Sequence, residues 1–315
     1  MKKLLFTFLA GFIGFSSYGQ TPTISDADIF QGKKLIEAYF TPMTESFGAG
    51  LNNGWYNTAK PHSLGGFDVT FTLNTVIIPN TAQTFKIGNT FDSIFTSNFT
   101  QASTIFGSED GTAMTYNNDS TGVAIPFTMP GGFKTPIMPL PMIQAGIGLI
   151  KNTAIDIRYM PMLNVGDNIN VNLFGIGLKH DLLQWIPGVG DAIPMSLSLQ
   201  GGYTSLNTEL KVAGQEVSLN TKATTINLVA SKKILMLTGY AGVGYNSATT
   251  TFAADANFNL DGIQFDETVE IDFKSIKKLR TNIGLRLNIA VVTIQADYTF
   301  AEYPTATLGL GVSLR

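Results

Sequence analysis

The sequence predicts an all-β fold: a transmembrane antiparallel up-and-down β-barrel of about 12–14 strands behind a mostly helical or irregular N-terminal plug. Three observations carry this. The last third of the chain alternates apolar and polar side chains almost without a slip, which is the period of a β-strand. Only 14% of the 315 residues are charged and mean hydropathy is +0.16, against roughly 25% charged in soluble domains. Yet no apolar run reaches the roughly 18 residues that suggest a spanning helix. Apolar residues dispersed to every second position are what a membrane barrel requires.

The N-terminus has the pattern of an export signal. Lys2 and Lys3 supply charge, Leu4 to Phe15 form a short apolar core, and Ser17 and Gly19 occupy −3 and −1 of a cut before Gln20. The expected division is signal peptide 1–19, plug 20–65 and barrel 66–315, with residues 80–141 as a long loop. Cleavage removes two lysines, leaving 18 of the 20 basic residues against 23 acidic ones. That mild acidity argues against nucleic acid as a partner. The absence of cysteine removes disulfides and thiolate metal sites.

In the plug, Ser25 is placed to cap a helix, with Asp26 and Asp28 in its first turn. Ile29, Leu35, Ile36, Tyr39, Phe40 and Met43 continue a helical stripe that Pro42 should bend or end. The glycine- and asparagine-rich run Phe47 to Asn57 reads as irregular chain that needs shelter in a lumen. Asn52, Asn53, Trp55, Tyr56, Asn57 and Lys60 are the expected plug or ligand contacts. A periplasmic tail is the alternative.

Gly66 to Ile78 is the first strand, ended by Pro79. Pro126, Pro130, Pro136, Pro139 and Pro141 argue against a regular central strand at the end of the 80–141 loop. From Met142 a meander begins, with Lys151-Asn152 as a turn. In Ile169 to Leu178 the apolar parity flips near Leu173. Either a β-bulge there or a strand serving both core and lumen explains it. Lys179 to Pro187 suits a short helix at the membrane surface, with Trp185 at the interface. Further turns are expected at Gly214-Gln215, Ser231-Lys232-Lys233 and Asp261-Gly262.

Charge decides which face is wet. Glu270, Asp272, Lys274, Arg280, Arg286 and Asp297 mostly share the polar parity of their strands. An Arg at the bilayer midplane costs roughly 2–4 kcal/mol in such barrels, so these groups should point inward. Arg158, Asp272, Arg280, Arg286 and Asp297 are the expected lumen cluster, either a structural ion-pair network or a seat for an anionic solute. Tyr203, Tyr240, Tyr245, Tyr298 and Phe300 are candidates for aromatic girdles. A soluble β-sandwich with the apolar face inward is the rival fold.

The two histidines, His62 and His180, lack partners at metal-ligand spacing. No nucleophile elbow or phosphate-binding loop is present. The expectation is no cofactor, no metal and no enzyme activity. An outer-membrane hydrolase using His62 or His180 is the least favoured alternative, and a structural or adhesive barrel the other.

Gly50 to Lys60, containing Tyr56-Asn57-Thr58-Ala59 and leading into the first strand, resembles long-chain fatty-acid transporters of the FadL/TodX type. There a similar passage carries a proline that is missing here. Gly175 to Leu182 followed by Trp185-Ile186-Pro187 also resembles their mid-barrel region. Both passages look closer still to an uncharacterised group of Bacteroidota outer-membrane barrels. The resemblance implies a plugged outer-membrane barrel surrounded by lipid. It would move small hydrophobic solutes, either laterally or through a gap beside the plug. Capture would fall to the Phe- and Met-rich segment between Pro79 and Pro141.

Overall fold

Strands can cross a bilayer only if every backbone N–H and C=O is paired, which means closing the sheet. The computed structural model describes residues 26–118, 122–164, 169–186, 194–212, 215–260 and 263–314. The expected signal peptide 1–19, Ser25, Gly214, Asp261 and Gly262 lie outside the described residues. Helix α1 (Asp26–Leu51) comes first, then β1 (Phe67–Ile77). Five short strands follow: β2 (Thr84–Lys86), β3 (Phe95–Thr96), β4 (Gln101–Ser103), β5 (Thr112–Asn118) and β6 (Val123–Met129). Next come β7 (Ile137–Leu149), β8 (Thr153–Asn164), β9 (Ile169–Asp181), β10 (Ser196–Val212) and β11 (Gln215–Ile234). The chain finishes with β12 (Leu237–Leu260), β13 (Ile263–Ile289), β14 (Val292–Phe300) and β15 (Thr305–Leu314).

The strands β1 and β7 to β15 form one closed antiparallel barrel in which β1 pairs with both β15 and β7. Ten strands close, fewer than the expected 12–14. Two physical reasons account for the difference. Strands β10 to β13 are 17, 20, 24 and 27 residues long, where a crossing needs about 9–11; continuous alternation of that length divides on paper into extra hairpins. The 80–141 segment keeps β2 to β6 in two small sheets of its own, β2–β4 and β3–β5–β6, outside the ring.

One end carries tight turns. Lys151 and Asn152 have φ of 54° and 46°, the left-handed geometry that matches hairpin twist. The turn expected at Ser231-Lys232-Lys233 lies further on, at Leu235-Met236, because Ile234 pairs with Leu237. At the other end sit the 78–136 excursion and the tips of β9 to β13.

Helix α1 enters from the long-loop end and runs down the lumen, against β1, β7, β11, β12 and β13. It continues through Pro42 to Leu51, although an interior proline costs about 3 kcal/mol. Packing on all sides holds it, and the Thr41 and Ser46 hydroxyls donate to the Glu37 and Pro42 carbonyls at 2.6 Å each. Gly50 lies where a Cβ would collide with Leu140, so the glycines expected to be irregular chain let helix and wall touch. The Tyr39 hydroxyl donates to the Gly131 carbonyl at 2.8 Å, tying the helix to the excursion, and burial pushes it up to about 12.

Near the tight turns the barrel is polar inside and apolar outside. Val69, Ile143, Ile176, Val243, Leu285 and Leu310 are exposed, while Gln144, Arg158, Gln200, Asn227 and Arg286 are buried. Beyond that level the pattern inverts. Leu173, Leu206, Leu219, Phe252 and Ile271 turn inward onto the helix. Outside, Asn172, Asn207, Asn220, Thr251 and Asp272 pair in one unbroken row. In β9 the apolar set changes faces with no bulge. The bulge is on β8, where two residues oppose Asn172.

This inversion corrects the placement of Asp272. One extra residue in β13 opposite Thr249 shifts the register and flips the side chains beyond it. Asp272 is therefore exposed on the outer face, accepting from the Thr251 hydroxyl at 2.7 Å. Three other expectations change. Strand β9 runs through Asp181, so Lys179 is a buried inward residue, and only Leu183–Trp185 forms a short 3-10 turn. Tyr240 is inward and buried, while Tyr203, Tyr245 and Phe300 face outward. Pro139 and Pro141 lie within β7, at positions paired with β1 but not with β8, which is where a strand tolerates missing N–H groups.

Among the described residues no helix is long and apolar enough to cross a membrane; the apolar belt on the strands is the lipid-facing surface. Leu310→Arg should destabilise the barrel by about 2–4 kcal/mol, read as a lower urea midpoint in lipid vesicles. Asn220→Arg, on the same face but above the belt, should leave the midpoint unchanged. Equal effects would contradict the assigned belt.

Candidate functional site

Irregular chain inside a barrel has no backbone partners of its own, and buried backbone groups must find some. From Leu51 to Lys60 the barrel wall supplies them. Arg158 on β8 donates to the carbonyls of Leu51 at 2.8 Å and Asn53 at 2.7 Å, and to Gln144 Oε1 at 3.0 Å. Its guanidinium lies 3.6 Å from the centroid of the Trp55 ring. A rigid planar fork of donors suits this task in a way an ammonium does not.

Trp55 is seated by two glycines that pair with each other, Gly177 on β9 and Gly202 on β10. A Cβ at either position would fall 2.7 or 2.5 Å from the ring, so the missing side chains form the slot. Tyr56 donates to Asn282 Oδ1 at 2.7 Å and meets Tyr240 edge-on, with ring centroids 6.2 Å apart. Tyr240 in turn donates to Asp297 Oδ2 at 2.9 Å. Arg280 donates to the Asn52 carbonyl at 2.6 Å, and Arg286 to Asn57 Oδ1 at 2.7 Å. Asn74 Nδ2 donates to the carbonyls of Gly50 and Asn53, and Thr299 to Asn53 Oδ1. Ser231 Oγ accepts from the Ala59 amide at 2.9 Å.

The two groups of residues singled out in the sequence thus meet each other. Asn52, Asn53, Trp55, Tyr56 and Asn57 are held by Arg158, Arg280 and Arg286, and Asp297 anchors the tyrosine pair. The arginines spend these donors on the plug. Lys60 is exposed past the last contact, and Asp272 is on the outer face. Sequence reasoning missed Asn74, Gln144, Tyr240, Asn282, Ser231 and the glycine slot. All of these share the inward parity of their strands, and that parity was the available signal.

The histidines are apart. His62 Nε2 lies 2.9 Å from Asp68 Oδ1 in the lumen. His180 Nδ1 lies 2.8 Å from the Thr153 hydroxyl, and Trp185 Nε1 donates to its Nε2 at 2.9 Å. Among the described residues no three His, Cys, Asp or Glu side chains group as a metal site.

No curated protein matches the chain. Among solved structures it is similar to the translocator domain of the autotransporter NalP from Neisseria meningitidis, at 10% identity and TM-score 0.34, covering 90% of this chain and 98% of that one. It is also similar to a deletion mutant of the TodX monoaromatic hydrocarbon channel, at 10% identity and TM-score 0.25, covering 80% and 67% respectively. With residues 1–314 matched, the chain belongs to a family of unknown function, DUF6588.

Proposed function

We propose that the protein is an outer-membrane barrel giving small hydrophobic solutes a passive route, with no catalysis involved. The observation that carries this reading is a seam in the wall. Pairing between β7 and β8 stops at Gln144–Arg158. Continued in register, it would set Met142 opposite Met160 and Pro141 opposite Pro161. Two facing prolines have no N–H to give, so the ladder cannot extend there. Residues 137–143 of β7 are left with β1 as their one barrel neighbour.

The surroundings of the seam are apolar. Phe47 and Leu51 of α1 pack with Met142, Leu140 and Met160 behind it. Above lies the larger apolar cluster built from α1, the excursion and the upper barrel wall. A solute captured among those Phe and Met side chains would leave sideways between β7 and β8, while the clamped plug keeps water and ions out below. Methionine suits such a path because its side chain adapts to differently shaped guests. The likeness of Gly50 to Lys60 to the FadL/TodX-type transporters points the same way. A structural barrel without transport is the second reading, favoured by how completely the wall grips the plug.

The chain has no cysteine, so an engineered pair is clean. Met142→Cys with Met160→Cys should zip the seam on oxidation. Uptake of an apolar fluorescent probe into proteoliposomes should then fall to the protein-free level and recover on reduction. Wild-type vesicles no faster than empty ones would defeat the transport reading and leave the structural one.

A further inference from the structure

The plug leaves the lumen through a buried cluster of titratable groups that the clamp does not use. His62 sits on the strap between the plug and β1, 2.9 Å from Asp68 on β1. Asp156 on β8 and Lys179 on β9 complete the group, and all four are buried. A Cβ on Gly146 would lie 2.5 Å from Oδ1 of both Asp68 and Asp156, so the two carboxylates converge on one glycine. Lys179 is within electrostatic reach of both. The strap itself is pressed onto the wall: the Gly65 amide donates to the Gly148 carbonyl at 3.1 Å and the Gly148 amide to the Gly66 carbonyl at 2.8 Å. A side chain on Gly148 would collide with the His62 and Ser63 carbonyls.

We propose that His62, Asp68, Asp156 and Lys179 form an acid-labile latch that fixes the exit of the plug to the barrel wall. The charged groups facing the cluster are Asp68 from β1, Asp156 and Arg158 from β8, Lys179 from β9 and, beyond Arg158, Arg280 from β13. With both carboxylates ionised, two anions face Lys179 and Arg158, and the buried charge balances. Protonating the fully buried Asp156 leaves Lys179 and Arg158 facing the single anion of Asp68. A buried charge without a counter-charge is strongly unfavourable. The cheapest relief is for the strap carrying His62 to leave the wall and let water in. Acid therefore loosens the plug from its tight-turn end, without unfolding the barrel.

The latch can be tested whether or not any solute passes, so its failure is separate from failure of the transport reading. Hydrogen exchange of residues 55–62 is measured in the full-length protein in nanodiscs, corrected for intrinsic rates. Protection there should fall about tenfold or more between about pH 7 and about pH 5, with β11 and β12 unchanged. Asp156→Asn should be loose at both pH values and nearly pH-independent. If that variant fails to fold, Lys179→Gln, which removes one of the two facing cations, provides the comparison, with a smaller acid response than wild type. Constant protection in the wild type would overturn the proposal, and so would an undiminished acid response in the variant that folds.

Discussion

Trp55→Ala unseats the plug. Removing a fully buried indole costs about 3–5 kcal/mol, counting the cavity left behind. The ring is also the surface on which Arg158 rests, 3.6 Å from its centroid, and a desolvated cation–π contact adds up to about 2 kcal/mol. The slot cannot collapse, because its walls are hydrogen-bonded strands. The expected result is a lower temperature for the heat-induced gel shift and ion conductance in planar bilayers where the wild type is closed. Gly202→Val should do the same from the opposite side, by filling the slot. In the double variant the valine occupies space the indole has vacated, so the two losses should not add. Additive losses, or a Trp55→Ala barrel as closed as wild type, would mean the ring does not seat the plug.

Arg158→Met keeps much of the volume and removes every donor. The carbonyls of Leu51 and Asn53 and the Gln144 side chain then lose a buried partner. The Asn53 carbonyl keeps its Asn74 donor, while the Leu51 carbonyl and Gln144 Oε1 each lose the Arg158 donor at about 1–3 kcal/mol, so a total loss of roughly 3–5 kcal/mol is expected, as for breaking a buried charged network. Unfolding in detergent should show it. Arg158→Lys should recover only part, since an ammonium cannot fork to two carbonyls. Asp272→Asn, outside the wall, should stay within about 0.5 kcal/mol of wild type. A loss at Asp272 as large as that at Arg158 would mean the inversion above the belt is misassigned.

Much of this architecture was legible in the sequence because a bilayer imposes a strict rule. Strands β14 and β15 must alternate, and they do so cleanly enough to be placed within a residue or two. Arg158, Arg280 and Arg286 could be aimed inward because no other position in a spanning strand tolerates them. The plug was legible as well, since an Asn- and Gly-rich run with two large aromatics needs enclosure. What failed did so where alternation stops being diagnostic. A strand that leaves the membrane and continues in water still alternates, so β10 to β13 read as more strands than they are. Asp272 was misplaced because a one-residue bulge leaves no mark in composition. The helix was expected to bend or end at Pro42 and instead runs on to Leu51, because local propensity knows nothing of a surrounding wall. The clamp partners could be faced inward by parity but not singled out: Asn282, Ser231 and Asn74 are ordinary polar residues until the ring closes and brings them to the axis.

The extra residue in β13 makes that strand a splice between two codes. Below it, even-numbered positions such as Arg280 and Arg286 belong to the interior. Above it, odd-numbered Ile271 and Phe273 do. Deleting that one residue would force a choice of frame. Keep the lower half, and two aromatic-cluster residues surface in water. Keep the upper half, and two guanidinium groups enter hydrocarbon at roughly 2–4 kcal/mol each near the midplane. Conservative substitutions along β13 should be absorbed, while a single-codon indel between Phe273 and Leu279 would not be.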